Sequence, residues 1–228
     1  QEETILVNMP SAYMQVYRSG ISVLEMKMVV GKPSTPTPVF SSRIEQVVLY
    51  PYWHVPYSIA TKELLPLIKL SPAFIDKGGY QVLNAQGKIM DPYRINWKAL
   101  GPGNFPYLIR QSTGCDNALG LLKLDFYTPF GVYLHDTPSK NSFNLNKRYF
   151  SHGCMRMEKP VELGRMILQE NTLAIDTLTA KGCLVNQSPI PVRALHKMAL
   201  VVWYNVAAID HSGTLVFYED VYKKFKQP

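Results

Sequence analysis

The sequence predicts a mainly β fold with short helices, and three observations carry that expectation. Its 228 residues suit one domain with room for an insertion. Short runs rich in Val, Ile, Leu, Met and Tyr recur between turn residues, and 17 Pro and 14 Gly punctuate them. Few stretches join a helix-start signal to helical apolar spacing. Residues 4–9 read as a short strand. Residues 13–18, a Ser19-Gly20 turn and residues 21–30 read as a hairpin. Residues 47–55 read as a further strand, interrupted by Pro51 and closed by Pro56.

Ser58 can cap a short helix through Leu65, and Ser71-Pro72 has the cap-then-proline start of a second. Residues 80–83 and 88–90 flank a turn at Gln86-Gly87. Residues 91–106 show no period and read as a loop or the edge of an inserted lid. Strands are expected at 108–111, 121–126 and 132–135. Pro160 opens a helix to about Gln169, with Val161, Gly164 and Leu168 facing inward and Leu163 and Ile167 flanking them. A helix over 172–180 and strands over 191–206 and 214–218 complete the chain, with His211-Ser-Gly-Thr214 as a turn. There is no repeat and no linker.

Composition narrows the function classes. At 46% hydrophobic and 18% charged, the chain is neither disordered nor fibrous. No apolar run approaches the roughly 20 residues of a membrane helix. The net charge of +7 suits polyanionic surroundings, but the basic residues are scattered and cluster only at Lys223-Lys224-Phe225-Lys226. With no finger pattern and no aromatic-basic signature, nucleic acid is not the expected partner. Cys115, Cys154 and Cys183 are an odd number, so at least one is free or pairs with another chain. A Cys115–Cys183 bridge is conceivable; two buried thiols are the favoured reading. No leader is read in the chain, so an exported protein would have lost it.

One segment stands apart: Tyr133-Leu-His135-Asp136-Thr-Pro138, then Ser151-His152-Gly153-Cys154-Met155-Arg156. A catalytic thiol needs a base to take its proton and donors for the oxyanion that forms when it attacks a carbonyl. His135 ends an expected strand, and Cys154 lies 19 residues on, in a turn before the Pro160 helix, so adjacent elements can aim both into one cleft. The amides of Gly153 and Cys154 could point at one oxyanion, and Arg156 adds a fixed positive charge. Taken singly, such a cysteine is most often a small buried hydrophobe. His135, His152 and Cys154 could also be three zinc ligands, but no paired Cys or His motif supplies a fourth. Ser151 lacks the elbow of a serine nucleophile.

The Ser-His-Gly-Cys-x-Arg motif after His135 resembles the signature of the L,D-transpeptidase catalytic domain family, bacterial cell-wall enzymes with a cysteine nucleophile. The likeness is nearest to the Gram-negative branch with a lid insertion. It continues through Ile5-Leu-Val-Asn-Met-Pro10, Val30-Gly-Lys-Pro33, Trp53-His-Val-Pro56, Asn117-Ala-Leu-Gly120 and Pro191-Val192. Met155 stands where the family usually has a β-branched residue. The resemblance implies one β-sandwich-like catalytic domain over residues 1–228 with a lid around 57–106. It implies that Cys154 attacks the third-residue carbonyl of a peptidoglycan tetrapeptide stem, releases D-alanine and passes the acyl group to the amine of a second stem, a 3→3 cross-link. Resolution by water, attachment of a lipoprotein, or a non-catalytic peptidoglycan-binding role are the alternatives.

By the same resemblance His135 is the base, and Asp136 offers the carbonyl that orients it. Gly153 belongs to the oxyanion hole, and Ser151, His152 and Arg156 support the nucleophile turn. Tyr133 is a substrate contact, and Asn117 shapes a turn beside the site or touches substrate. Trp53 and Trp97 line the groove or belong to the core, Trp203 is core, and His54, His196 and His211 carry no catalysis. No metal or organic cofactor is implied. The expected partners are stem peptides in the periplasm or cell envelope. An upstream domain and a peptidoglycan-binding module, frequent in this branch, are not in the chain, which leaves substrate to the catalytic domain and lid or to parts outside it.

Overall fold

The computed structural model describes residues 3–169, 171, 173–184, 187–209 and 213–225. Thr172, His211 and Lys226, named above, lie outside the described residues. The chain is mostly β, with few and short helices, as the sequence predicts.

Strands β1 (Glu3–Asn8), β2 (Tyr13–Arg18) and β3 (Ile21–Gly31) form an antiparallel meander. Ser19 and Gly20 both take positive φ, the geometry of a two-residue hairpin turn. Strand β4 is Phe40–Leu49, longer at its start and shorter at its end than expected. Tyr50 (φ 50°) and Pro51 turn the chain out of the sheet, so β5 (Trp53–His54) joins a different one. The expected 47–55 strand is therefore two elements.

Residues 53–111 include the 57–106 stretch expected to be inserted. They carry their own four-stranded sheet of β5, β6 (Tyr80–Leu83), β7 (Ile89–Met90) and β8 (Leu108–Gln111). Ile68, Ile75, Val82, Trp97 and Ile109 form their own core. One helical run crosses residues 57–70 as α1 (Tyr57–Ile59), a π turn (Ala60–Leu64) and α2 (Leu65–Leu70). Pro66 has no N–H to donate back into the previous turn, and the chain widens there so that the Leu65 N–H reaches the Ala60 carbonyl. Ser58 makes no cap, against expectation. Helix α3 (Ala73–Lys77) follows Pro72.

The chain then returns through β9 (Leu122–Phe126), β10 (Leu134–His135), β11 (Tyr149–Ser151) and β12 (Met155–Met157). Helices α4 (Pro160–Leu168) and α5 (Leu173–Lys181) follow, then β13 (Ile190–Arg193), β14 (Ala199–Trp203) and a hairpin of β15 (Ala207–Ile209) and β16 (Leu215–Phe217). The expected 191–206 strand is split between β13 and β14, and β11 and β12 were not expected at all. In α4, Leu163 and Ile167 are fully buried while Val161 is only partly so, which rotates the expected inward face.

Two sheets share the long strands β3 and β4. The first half of β4 pairs β14, and its second half pairs β9 and β13. Likewise β3 pairs β2 over its first part and β12 at Met28 and Val29. One apolar core draws on both sheets and on α4 and α5, from Ile5, Val7 and Met14 to Leu124, Leu134, Met155 and Ile167. The Cys115–Cys183 pair is a correction: the two form a disulfide, Cα atoms 5.2 Å apart, inside the spacing such a bridge needs. It ties the loop before β9 to the segment after α5.

Candidate active site

Strands β10 and β12 run parallel, with Leu134 opposite Met155 and His135 opposite Arg156. Side chains alternate across a strand. Leu134 and Met155 are fully buried in the core, so Tyr133, His135, Cys154 and Arg156 project together from the other face. All four line one cleft of about 430 Å³. Trp53, Ile59 and Glu63 from the inserted unit line the same cleft, as do Leu119, Phe130 and His152.

His135 is buried, and its Nδ1 lies 2.5 Å from the backbone carbonyl of Asp136. A carbonyl only accepts, so Nδ1 carries the hydrogen and Nε2 keeps its lone pair. Burial, with the charges of Arg156 and Lys123, pulls the imidazole pKa down to about 3. The Asp136 carboxylate is separately anchored: Oδ2 accepts from the Leu121 N–H at 2.9 Å, and Oδ1 pairs with Lys140.

Cys154 is the free cysteine. Burial pushes its thiol up, against the N–H and hydroxyl of Tyr133 and the positive charges of Arg156 and Lys123. The resting pair is thus a neutral thiol and a neutral imidazole. Burial also pushes the Tyr133 phenol up, so its hydroxyl stays protonated beside the sulfur; Trp53 bonds the same hydroxyl. The ring of Tyr133 stands edge-on to His135, centroids 5.6 Å apart.

The turn holding Cys154 is braced from within and from outside. Ser151 Oγ donates to the Cys154 carbonyl at 2.6 Å and accepts from the Gly153 N–H at 3.1 Å. This corrects one expectation, because the Gly153 amide is spent on Ser151 and is not aimed at an oxyanion. The Cys154 N–H has no acceptor among the described residues. Thr37 Oγ1 donates to the Gly153 carbonyl at 2.8 Å, and Thr35 Oγ1 to the Ser151 carbonyl at 3.1 Å. Sequence reasoning missed these two threonines; the dense Pro-Ser-Thr-Pro-Thr-Pro run after Gly31 was their only signal.

Other expected residues fall in different places. Asn117 does not line the cleft: its amide donates to the Pro51 and Ser112 carbonyls, and its oxygen accepts from the Leu119 N–H. It shapes the loop, and its expected substrate contact has no free group to make it. His152 leaves the nucleophile turn, and its Nε2 meets Glu63 Oε1 at 2.9 Å. Arg156 has no carboxylate partner among the described residues, and its buried Nε has no hydrogen-bond partner. Trp97 is core in the inserted unit, and Trp203 is only partly buried, with no partner for its indole N–H among the described residues.

Comparison with known proteins points to one family. The YkuD family model, the L,D-transpeptidase catalytic domain, matches residues 2–180. A Haemophilus influenzae protein provisionally named an L,D-transpeptidase is 36% identical over 218 residues, 96% of this chain and 44% of its own length. The chain thus spans less than half of that relative. Among solved structures, an Enterococcus faecium L,D-transpeptidase is 14% identical over 89% of this chain and 50% of its own, with a TM-score of 0.37. L,D-transpeptidase 3 of Mycobacterium tuberculosis is 11% identical over 88% and 60%, with a TM-score of 0.41.

Proposed function

The chain belongs to the L,D-transpeptidase catalytic domain family, and we propose that it is a working cysteine acyltransferase acting on peptidoglycan stems through Cys154 and His135. The observation that carries the reading is the shared face of β10 and β12. It gathers a free thiol, an imidazole with its lone pair free, a protonated phenol and an unpaired guanidinium in one cleft.

The chemistry follows from the protonation states. As Cys154 Sγ attacks the carbonyl carbon of the third stem residue, its proton passes to His135 Nε2, and the Asp136 carbonyl steadies the imidazolium. The developing oxyanion meets the free Cys154 N–H and the Tyr133 hydroxyl, in place of the Gly153 amide. His135 then gives its proton to the departing D-alanine nitrogen, leaving a thioester. Arg156 supplies charge for a stem carboxylate. In the second half an amine attacks the thioester, and the 3→3 cross-link forms. Residues 57–106 act as a lid over the groove, since Ile59 and Glu63 make one wall of it.

The disulfide suits an oxidising compartment such as the periplasm, and no helix among the described residues is long and apolar enough to cross a membrane. The test is acylation by a carbapenem, followed by intact mass. A one-to-one adduct is expected, lost in Cys154→Ala and strongly slowed in His135→Ala. A folded protein that forms no adduct would overturn the reading.

A further inference from the structure

We propose that Glu63 is the docking group for the amine of the acceptor, and that its charge decides whether the acyl-enzyme is resolved by an amine or by water. The inference rests on the acyl-enzyme reading above and names its acceptor side.

Glu63 owes its position to the π turn. Ile59 and Glu63, four residues apart, both line the cleft that holds Cys154. Among the residues lining that cleft, Glu63 is the only carboxylate, and Arg156 is the only residue with a permanent positive charge. The two occupy different depths. Arg156 is largely buried, with its Nε unpartnered, whereas the Glu63 side chain is 51% exposed at the mouth. The cleft is thus polarised, with a cation inside that suits the carboxylates of a donor stem and an anion at the entrance that suits an ammonium.

Glu63 and Cys154 also line the same cleft. Its one ion-pair partner among the described residues is His152, at 2.9 Å, two residues before Cys154. An ammonium seated on Glu63 therefore stands in the same cleft as the acyl carbon on Cys154. An arriving R–NH3+ replaces the His152 N–H as donor to the carboxylate, and loses one proton to bulk water. The nitrogen lone pair then attacks the thioester carbon, the N–C bond forms and the C–S bond breaks. The second proton passes through His135 to the leaving sulfur, which restores the thiol and the neutral imidazole. Water carries no charge for Glu63 to hold, so the carboxylate favours aminolysis over hydrolysis.

The test feeds a tetrapeptide stem as donor and a tripeptide stem with a free side-chain amine as acceptor. Mass spectrometry then counts D-alanine released, amide formed and tripeptide acid formed. Amide and acid are each divided by the D-alanine released, so a change in acylation cannot mimic a change in partition. Glu63→Gln keeps an oxygen for His152 and removes only the charge. The acceptor concentration that splits product equally between amide and acid is expected to rise about tenfold, the loss of one charge-assisted bond. Glu63→Asp should recover most of it. A Glu63→Gln partition within twofold of wild type overturns the proposal. Wild type that releases no D-alanine at all sinks the transpeptidase reading itself, a failure visible before any variant is made.

Discussion

Gly120 offers a way to move the proposed base, His135, without touching it. Its φ is +61°, and a Cβ built there would lie 2.3 Å from Asp136 Oδ2. In Gly120→Ala the left-handed backbone alone costs about 1–2 kcal/mol. The carboxylate must also withdraw by about 1 Å to reach ordinary contact, which strains its bond to the Leu121 N–H, a charged-acceptor bond worth roughly 1.5–3 kcal/mol. The sum is about 3–4 kcal/mol, or a Tm lower by roughly 10 °C for a chain of this size. Asp136 also supplies the carbonyl that fixes His135, so the imidazole shifts with it, and a misplacement near 1 Å costs on the order of 100-fold in rate. Gly87→Ala is the control, because Gly87 has φ +77° with nothing within 4 Å of the added Cβ. It should lose about 1 kcal/mol and acylate as wild type does. Carbapenem acylation followed by intact mass, beside thermal melts of the three proteins, makes the comparison. If Gly120→Ala melts early yet acylates within threefold of wild type, Asp136 does not orient the base.

Four further outcomes are expected. Ser151→Ala strands the Gly153 N–H and the Cys154 carbonyl in a buried turn, at about 2–4 kcal/mol, read from denaturant midpoints; an unchanged midpoint would refute the bracing. Tyr133→Phe should slow acylation by about 100-fold while the melt barely moves, whereas a wild-type rate would remove its hydroxyl from the oxyanion site. Unfolded His135 gains its proton near pH 6.5 and folded His135 only near pH 3, so the unfolded state binds more protons in between and stability falls as pH drops through that window. From pH 6.5 to 5 the loss is about 2 kcal/mol, and His135→Asn should flatten that slope in urea titrations. Cys115→Ser opens a 68-residue link and should cost about 2–4 kcal/mol, with reductant lowering the melt of wild type but not of the variant.

The parts of the fold legible in the sequence are those whose signals are local. The Ser19-Gly20 hairpin and the Pro160 helix start are set by neighbouring residues, and both stand where expected. What the sequence hid depends on distant partners. Strands β11 and β12 have three residues each and are strands only because β3 and β10 lie beside them. Residues 47–55 look like one apolar run, yet the break at Tyr50 is a change of sheet, visible only once β9 claims one half and β8 the other. The disulfide was misread for the same reason, since Cys115 and Cys183 stand 68 residues apart and meet through tertiary structure alone. The site shows the same division. Cys154 and His135 were singled out by the resemblance their motif carries, whereas Thr37 reaches the nucleophile turn from a remote loop and Glu63 reaches His152 from the helical run of the inserted unit.

The hidden register also bears on the resting state of Cys154 and His135. A thiolate–imidazolium pair is stable where water or donors hold both charges. Here Tyr133, His135, Cys154 and Arg156 share one strand face with the core directly behind it, and burial moves the Cys154 thiol up and the His135 imidazole down. Both shifts favour the neutral pair. The two cations nearby act in opposite directions on its members: Arg156 and Lys123 favour the thiolate and disfavour the imidazolium. On the function proposed above, charge separates as sulfur meets the carbonyl, when the negative charge moves from the sulfur to an oxygen facing the Cys154 N–H and the Tyr133 hydroxyl. The Asp136 carbonyl is the partner placed to stabilise the imidazolium. A site built this way leaves its thiol largely unreactive toward oxidants, because the reactive form is the thiolate.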